Sequence, residues 1–214
     1  MAERRRPTEL RQVELIDAAL HILATRGIAA LSTRSLAAQV GLSSGAIFRH
    51  FASIDALFEA VVARVESVLE ATYPDEALSP RERLGLFVEA RSAAVGSQRG
   101  IMQLVLSEQF LLALPKGAAA RLGACVLKTR EFVSRCLREG QAAGEFRDDL
   151  DASALAVLVL GTIQMLALSA ARRLPLAAPS PLVRETLDAL LRSAPQSPRA
   201  KGPLATRPRR PPRP

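Results

Sequence analysis

Residues 31–51 read LSTRSLAAQVGLSSGAIFRHF, and the fold turns on how this stretch is punctuated. Ser32 stands where a helix N-cap belongs, ahead of a short apolar stripe at Leu36 and Val40. A serine hydroxyl there satisfies one of the backbone N–H groups that a first helical turn leaves open. Gly41, in the VGL segment, takes positive φ at no steric cost and predicts a tight turn. Ser43 then caps a third helix with Ile47 and Phe51 on its inner face. Two short helices joined by a glycine turn make the helix-turn-helix arrangement.

Outward from that motif, Leu10, Val13, Ile16, Leu20 and Leu23 recur at three- and four-residue spacing, which predicts an amphipathic helix ended by Gly27. On the other side, Ser53 caps a fourth helix with Asp55 in its first turn and Leu57, Val61, Val65 and Val68 as its stripe. After TYPDEA the helices lengthen. SPRE at 79–82 is a capping box with proline at the first helical position, opening a helix to about Ser97. IMQLVLSEQFLLAL is a second, stopped by Pro115, and a third runs from about Gly117 to Gln141 and ends near Gly144. Asp151 or Ser153 starts an uncharged helix that ends at Arg172 and Arg173; Ser180 and Pro181 start the last, carrying Leu182, Val183, Leu187, Leu190 and Leu191. No internal repeat is found. The fold class is all-α.

The 214 residues suffice for one large or two small domains. The formal charge is +8, but residues 193–214 alone supply +6 from Arg199, Lys201, Arg207, Arg209, Arg210 and Arg213, with no acid among them. The remainder is close to neutral, so affinity for DNA must come from local placement of charge. Residues 194–214, rich in proline and arginine, are read as disordered. Cys125 and Cys136 lie eleven residues apart on one helix, about 16 Å, too far for a disulfide. Buried thiols in a reducing cytosol, or a redox switch, are the readings left. MAERRRPTEL has no apolar stretch after its charges and is no secretory signal; the expected location is cytoplasmic.

Residues 152–171 hold twenty residues without a charge, long enough to span a bilayer. Thr162, Gln164, Ser169 and six alanines dilute them. The competing reading, which we adopt, buries one side in the same chain and the other against a second subunit.

In a helix-turn-helix the second helix presents its N-terminal residues to base edges in the major groove. Ser43, Ser44, Gly45 and Ala46 occupy that end, and their small side chains permit close approach. Free N–H groups of the first turn suit a phosphate. Arg49 and His50 lie one turn on, within reach of the backbone; Thr33 and Arg34 are placed for a flanking phosphate, and Arg4, Arg5 and Arg6 add salt-dependent attraction. Each has an alternative: Arg34 and Arg49 as solvated charges, His50 as a helix C-terminal cap, Gly45 as a packing device. The conjunction and spacing of all of them favour DNA.

These residues carry a resemblance. Residues 9–69, through AALHILATRGIAALSTRSLAAQVGLSSGAIFRHFASIDALFEAVV, resemble the DNA-binding domain of the TetR family of transcriptional regulators, with the motif at 32–51. AGEFRDDLDASALAVLVLGTIQ resembles the turn into that family's first dimerisation helix. The resemblance implies a homodimer in which a C-terminal helical domain, here 75–193, binds a small molecule that changes the spacing of the two recognition helices. It assigns DNA contact to Thr33, Arg34, Ser43, Ser44, Gly45, Ala46, Phe48, Arg49 and His50. Phe48 stands where the family usually has a phosphate-binding tyrosine, and Ile54 where it usually has lysine. Repression is the behaviour the resemblance implies.

The helices after residue 79 are expected to enclose a cavity for an apolar or amphipathic effector, with Phe87, Arg91, Met102, Gln103, Gln109, Phe110 and Gln164 as candidate lining residues. Helices 152–173 and 180–193 are expected to pair with their copies in a four-helix bundle, on a palindromic double-stranded operator. No cofactor or metal is called for, and no spacing of nucleophile, metal ligand or phosphate loop suggests an enzyme. The second reading is a helical ligand-binding or scaffolding protein that has lost specific DNA binding.

Overall fold

The computed structural model describes residues 8–97, 108–172 and 180–192. Arg4–Arg6, Met102, Gln103 and the basic tail lie outside them, as does the side chain of Gln109. The described residues form helices and connecting turns, with no strand among them. In chain order the helices are α1 (Thr8–Arg26), α2 (Thr33–Val40), α3 (Ser44–Ile47), α4 (Ile54–Glu70), α5 (Pro80–Ser97), α6 (Glu108–Ala113), α7 (Lys116–Ala142), α8 (Ala152–Arg172) and α9 (Ser180–Leu191).

Side-chain caps set the boundaries around the motif. Ser32 Oγ accepts from the Ser35 N–H while Ser35 Oγ accepts from the Ser32 N–H, a reciprocal box at the start of α2. Gly41 closes α2 at φ 69°, and the next N–H, of Leu42, returns to the Ala37 carbonyl at 2.9 Å. Ser43 and Ser53 cap α3 and α4 by accepting from the N–H groups of Ala46 and Ala56. Gly27, at φ 78°, ends α1 through its bond to the Leu23 carbonyl and leads into a short 3-10 turn at Ile28–Ala30. Further on, Ser79 and Glu82 form the expected capping box before α5, and Asp151 caps α8 by accepting from the N–H groups of Ser153 and Ala154.

Two apolar cores result. The first joins α1, α2, α3 and α4 through Leu15, Ala19, Ile22, Leu36, Ile47, Leu57, Val61 and Val65, and continues into Phe110, Leu114, Ala118 and Leu122 of the region that follows. The second lies among α5, α7, α8 and α9, around Phe87, Phe132, Leu137, Phe146, Leu155 and Val159. In α1 the buried face is Leu15, Ala18, Ala19, Leu20, Ile22 and Leu23, so Leu20 and Leu23 of the expected stripe are buried whereas Leu10 and Val13 are exposed. The stripe read from the large apolar residues is thus partly misplaced, since Leu15, Ile22 and two alanines share the buried face with it. Gly140 has a packing role: a Cβ there would sit 2.2 Å from the ring of buried Phe146.

No helix among the described residues is long and apolar enough to cross a membrane. One face of α8 is buried at Leu155, Ala156, Val159, Ile163, Leu166 and Ala167, while Val157, Leu158 and Met165 are exposed. Both cysteines are free thiols, Cys136 buried and Cys125 half-buried, and burial pushes both up from their ordinary value.

Candidate DNA-binding surface and effector region

The expected DNA contacts sit on one outer edge of the α1–α4 head. Ser43, Ser44, Gly45, Phe48 and Arg49 are exposed around the start of α3 and the turn behind it, with exposed Arg34 and half-buried Thr33 on the first turn of α2. From Asp17 to Asp55 the chain carries no acidic side chain, while Arg26, Arg34 and Arg49 fall within that span. Between those two aspartates the chain offers cationic and hydroxyl groups with no carboxylate interspersed, a stretch suited to a phosphate backbone.

Gly45 distinguishes contact from packing. A Cβ added there meets nothing within 4 Å, so no neighbour among the described residues demands its small size. Ala46 behaves differently. At 3% exposure it belongs to the head core rather than to the DNA-facing edge, because the short α3 must anchor through Ala46 and Ile47. His50 is half-buried, and its carbonyl accepts from Gln12 Nε2 at 2.9 Å, tying the end of the motif to α1. Phe48 is 52% exposed, and Ile54 packs against the head core. An aliphatic residue at the start of α4 thus serves packing.

The expected effector-lining residues divide. Phe87 and Arg91 come together on α5: the Arg91 guanidinium lies 4.8 Å from the Phe87 ring centre and 5.2 Å from that of Tyr73. Tyr73 stacks on Phe87 at 5.4 Å and meets Phe132 edge-on at 5.1 Å. Burial pushes the Arg91 guanidinium down from its ordinary value, with Tyr73 opposing. Tyr73 and Phe132 were not singled out from sequence; an aromatic at the end of one helix and another on α7 show their proximity only once the helices pack. Phe110 joins the head core instead, edge-on to Phe58 at 6.2 Å. Gln164 is exposed on the outer face of α8 and does not join Arg91 and Phe87.

Head and effector region are joined along α4 and α7. Arg121 of α7 reaches Glu59 at 3.1 Å and also pairs with Glu66. Two turns on, Lys128 holds Glu70 at 2.7 Å while lying 4.9 Å from the Tyr73 ring centre. Helix α4 thus begins in the head and ends beside the Arg91 cluster.

Comparison with known proteins agrees with this geometry. The family model described as bacterial regulatory proteins, tetR family, matches residues 15–61. The HTH-type transcriptional repressor KstR2 of Mycolicibacterium smegmatis is 31% identical over 150 residues, covering 66% of this chain and 70% of that protein. Among solved structures, the ketosteroid transcriptional regulator KstR2 of Mycobacterium tuberculosis superposes with a TM-score of 0.70 at 23% identity, covering 88% of this chain and 95% of that one. AibR in complex with isovaleryl coenzyme A and operator DNA superposes with a TM-score of 0.69 at 15% identity, covering 85% and 97%.

Proposed function

This chain belongs to the tetR family of bacterial regulatory proteins, and from that premise we propose that it represses transcription as a homodimer on a palindromic operator, from which a small-molecule effector releases it. That it is a transcriptional regulator rather than an enzyme follows from the family. The observation that carries the DNA-binding role is the open, acid-free leading edge of α3. Ser43, Ser44 and Gly45 are small and exposed there, and no neighbour among the described residues requires Gly45 to be glycine. Arg49 and Arg34 flank that edge as phosphate partners, and the exposed Phe48 ring suits an apolar contact such as a thymine methyl. Thr33 and His50 complete the proposed set, His50 through the position of its backbone.

The homodimer reading rests on apolar surface left open on α8 and α9. Val157, Leu158 and Met165 recur along one face of α8, and Leu182 and Leu190 are exposed on α9. A second copy covering this face in an isologous contact places two heads side by side, for half-sites about one DNA turn apart or slightly more. Effector control needs only that a ligand near Phe87 and Arg91 favour one placement of α4 over another. The neighbouring fold of AibR, with isovaleryl coenzyme A and operator DNA in one complex, is a precedent for a chain of this shape that serves both kinds of ligand.

A gel-shift titration on the DNA upstream of the protein's own gene tests this, alongside sedimentation of the free protein. The expected result is one discrete, sequence-dependent complex formed by a dimer. A monomer at working concentration, or a ladder of complexes without sequence preference, refutes it. The second reading, a ligand-binding protein without specific DNA binding, draws on Phe48 and Ile54, which lack the two polar groups the family usually places there. It predicts a dimer that shifts no fragment.

A further inference from the structure

Among the described residues Arg91 is a buried cation with no carboxylate partner. It is 4% exposed, and its Nε and Nη2 are buried without a hydrogen-bond partner. Two other arginines of this chain show what those two nitrogens ordinarily do. Arg81 Nε and Nη2 donate to the two carboxylate oxygens of Asp188 at 3.0 and 2.9 Å, and Arg147 grips Asp149 in the same way at 2.7 Å. The orphaned edge of Arg91 is therefore the edge that matches a carboxylate or phosphate in a two-point fork. Arg83, about as buried, pairs with Glu139 through Nη2 although its Nε also lacks a partner, whereas Arg91 has no carboxylate on either nitrogen. Glu70, the acid that acts on Arg91, is already engaged by Lys128.

A buried guanidinium with two unmade donors and no carboxylate partner is costly. Packing alone is met by an apolar side chain of similar length. The rings of Tyr73 and Phe87 stabilise the cation through their faces but leave its Nε and Nη2 donors without a partner. We propose that Arg91 is the counter-charge for an amphipathic anion, an apolar body ending in a carboxylate or phosphate, whose anionic group takes the Nε–Nη2 edge. Tyr73, Phe87 and Phe132 bound the apolar side of that seat. The inference rests on reading the C-terminal helices as an effector domain and names the class of effector.

The chain holds one tyrosine and no tryptophan, so intrinsic emission reports directly on Tyr73. Full-length protein is titrated with decanoate, decyl phosphate and decan-1-ol, each below its aggregation threshold, following Tyr73 emission and thermal melting. At least one anion is expected to bind about tenfold or more tightly than the alcohol. In Arg91→Met the preference is expected to vanish while the ligand-free protein melts no lower than wild type. Arg91→Lys keeps the charge without the fork and serves where the methionine variant does not fold; it is expected to lose most of the preference. Equal binding of acids and alcohol, no response to any of the three, or an anion preference that survives in the variant overturns the proposal. None of these readouts involves DNA. Loss here leaves operator binding intact as a reading, and failure to bind operator leaves this one intact.

Discussion

The hydroxyls of Tyr73 and Thr129 are hydrogen-bonded at 3.1 Å, tying the residue just beyond α4 to the middle of α7. The direction of that bond follows from its neighbour. Thr129 Oγ1 donates to the Cys125 carbonyl at 2.9 Å, which leaves Tyr73 as the donor to Thr129. Seventeen residues of α4, about 25 Å of rigid helix, separate this bond from the Ser53 cap at the edge of the head.

Tyr73→Phe removes that donor and keeps the ring against Phe87 and Phe132. The expected cost is about 1 kcal/mol of stability, the net value of an ordinary hydrogen bond, read from urea unfolding. Because the bond fixes the far end of α4, effector-induced release from operator should also shift in concentration while affinity in the absence of effector stays within about twofold. Unchanged release by effector would show that α4 is held by its ion pairs and apolar face alone.

Gly45 and Gly140 should answer substitution in opposite ways. At Gly45 a side chain has open space, so Gly45→Leu leaves folding intact, while operator affinity falls by at least about tenfold if backbone and DNA approach closely there. At Gly140 an added methyl strikes the buried Phe146 ring, and Gly140→Ala should cost about 1–3 kcal/mol. Thermal melting and operator affinity, measured on both variants, check the pair.

Much of the head was legible because its punctuation is local. Ser32, Ser43, Ser53, Gly27 and Gly41 act on their own turns within a few residues, so sequence places them well. What depends on which face meets which neighbour was less legible. Ala46 turned inward because a four-residue α3 has few other anchors, and Phe110 joined Phe58 because α6 packs toward the head. Arg91 and Phe87 were visible as a polar residue among apolar ones. That the arginine has no acidic partner is a fact of tertiary packing and of which acids other cations have already claimed.

Acid should loosen α9 before the head. Partial burial pushes the Asp188 carboxylate up, but the guanidiniums of Arg192 and Arg81 outweigh it and hold the group below its ordinary value. A depressed carboxylate contributes stability at neutral pH that is lost as pH falls through its folded-state value, so the loss begins below about pH 4. Asp188 is a third exposed, and water screens the pair. The expected effect of Asp188→Asn at pH 7 is about 1–3 °C in Tm. Melting curves of wild type and variant should converge at low pH; a constant gap down to pH 2 would refute the assignment.

The exposed face of α8 yields the last prediction. Val157 is 68% exposed and Met165 55%, on a helix whose opposite side is firmly buried. Gln164 and Gly161 share the outer face, which makes Gln164 a candidate for the contact between copies rather than for the effector seat. Placing Glu at both Val157 and Met165 sets like charges against each other across a two-fold axis, with no apolar core of the single chain disturbed. The double variant should sediment as a folded monomer with an unchanged helical circular dichroism spectrum. Operator affinity should then drop by two orders of magnitude or more, since about half of the phosphate contacts go with the lost head. A double variant that remains dimeric would move the interface elsewhere, with α9 and its exposed Leu182 and Leu190 as the next surface to alter.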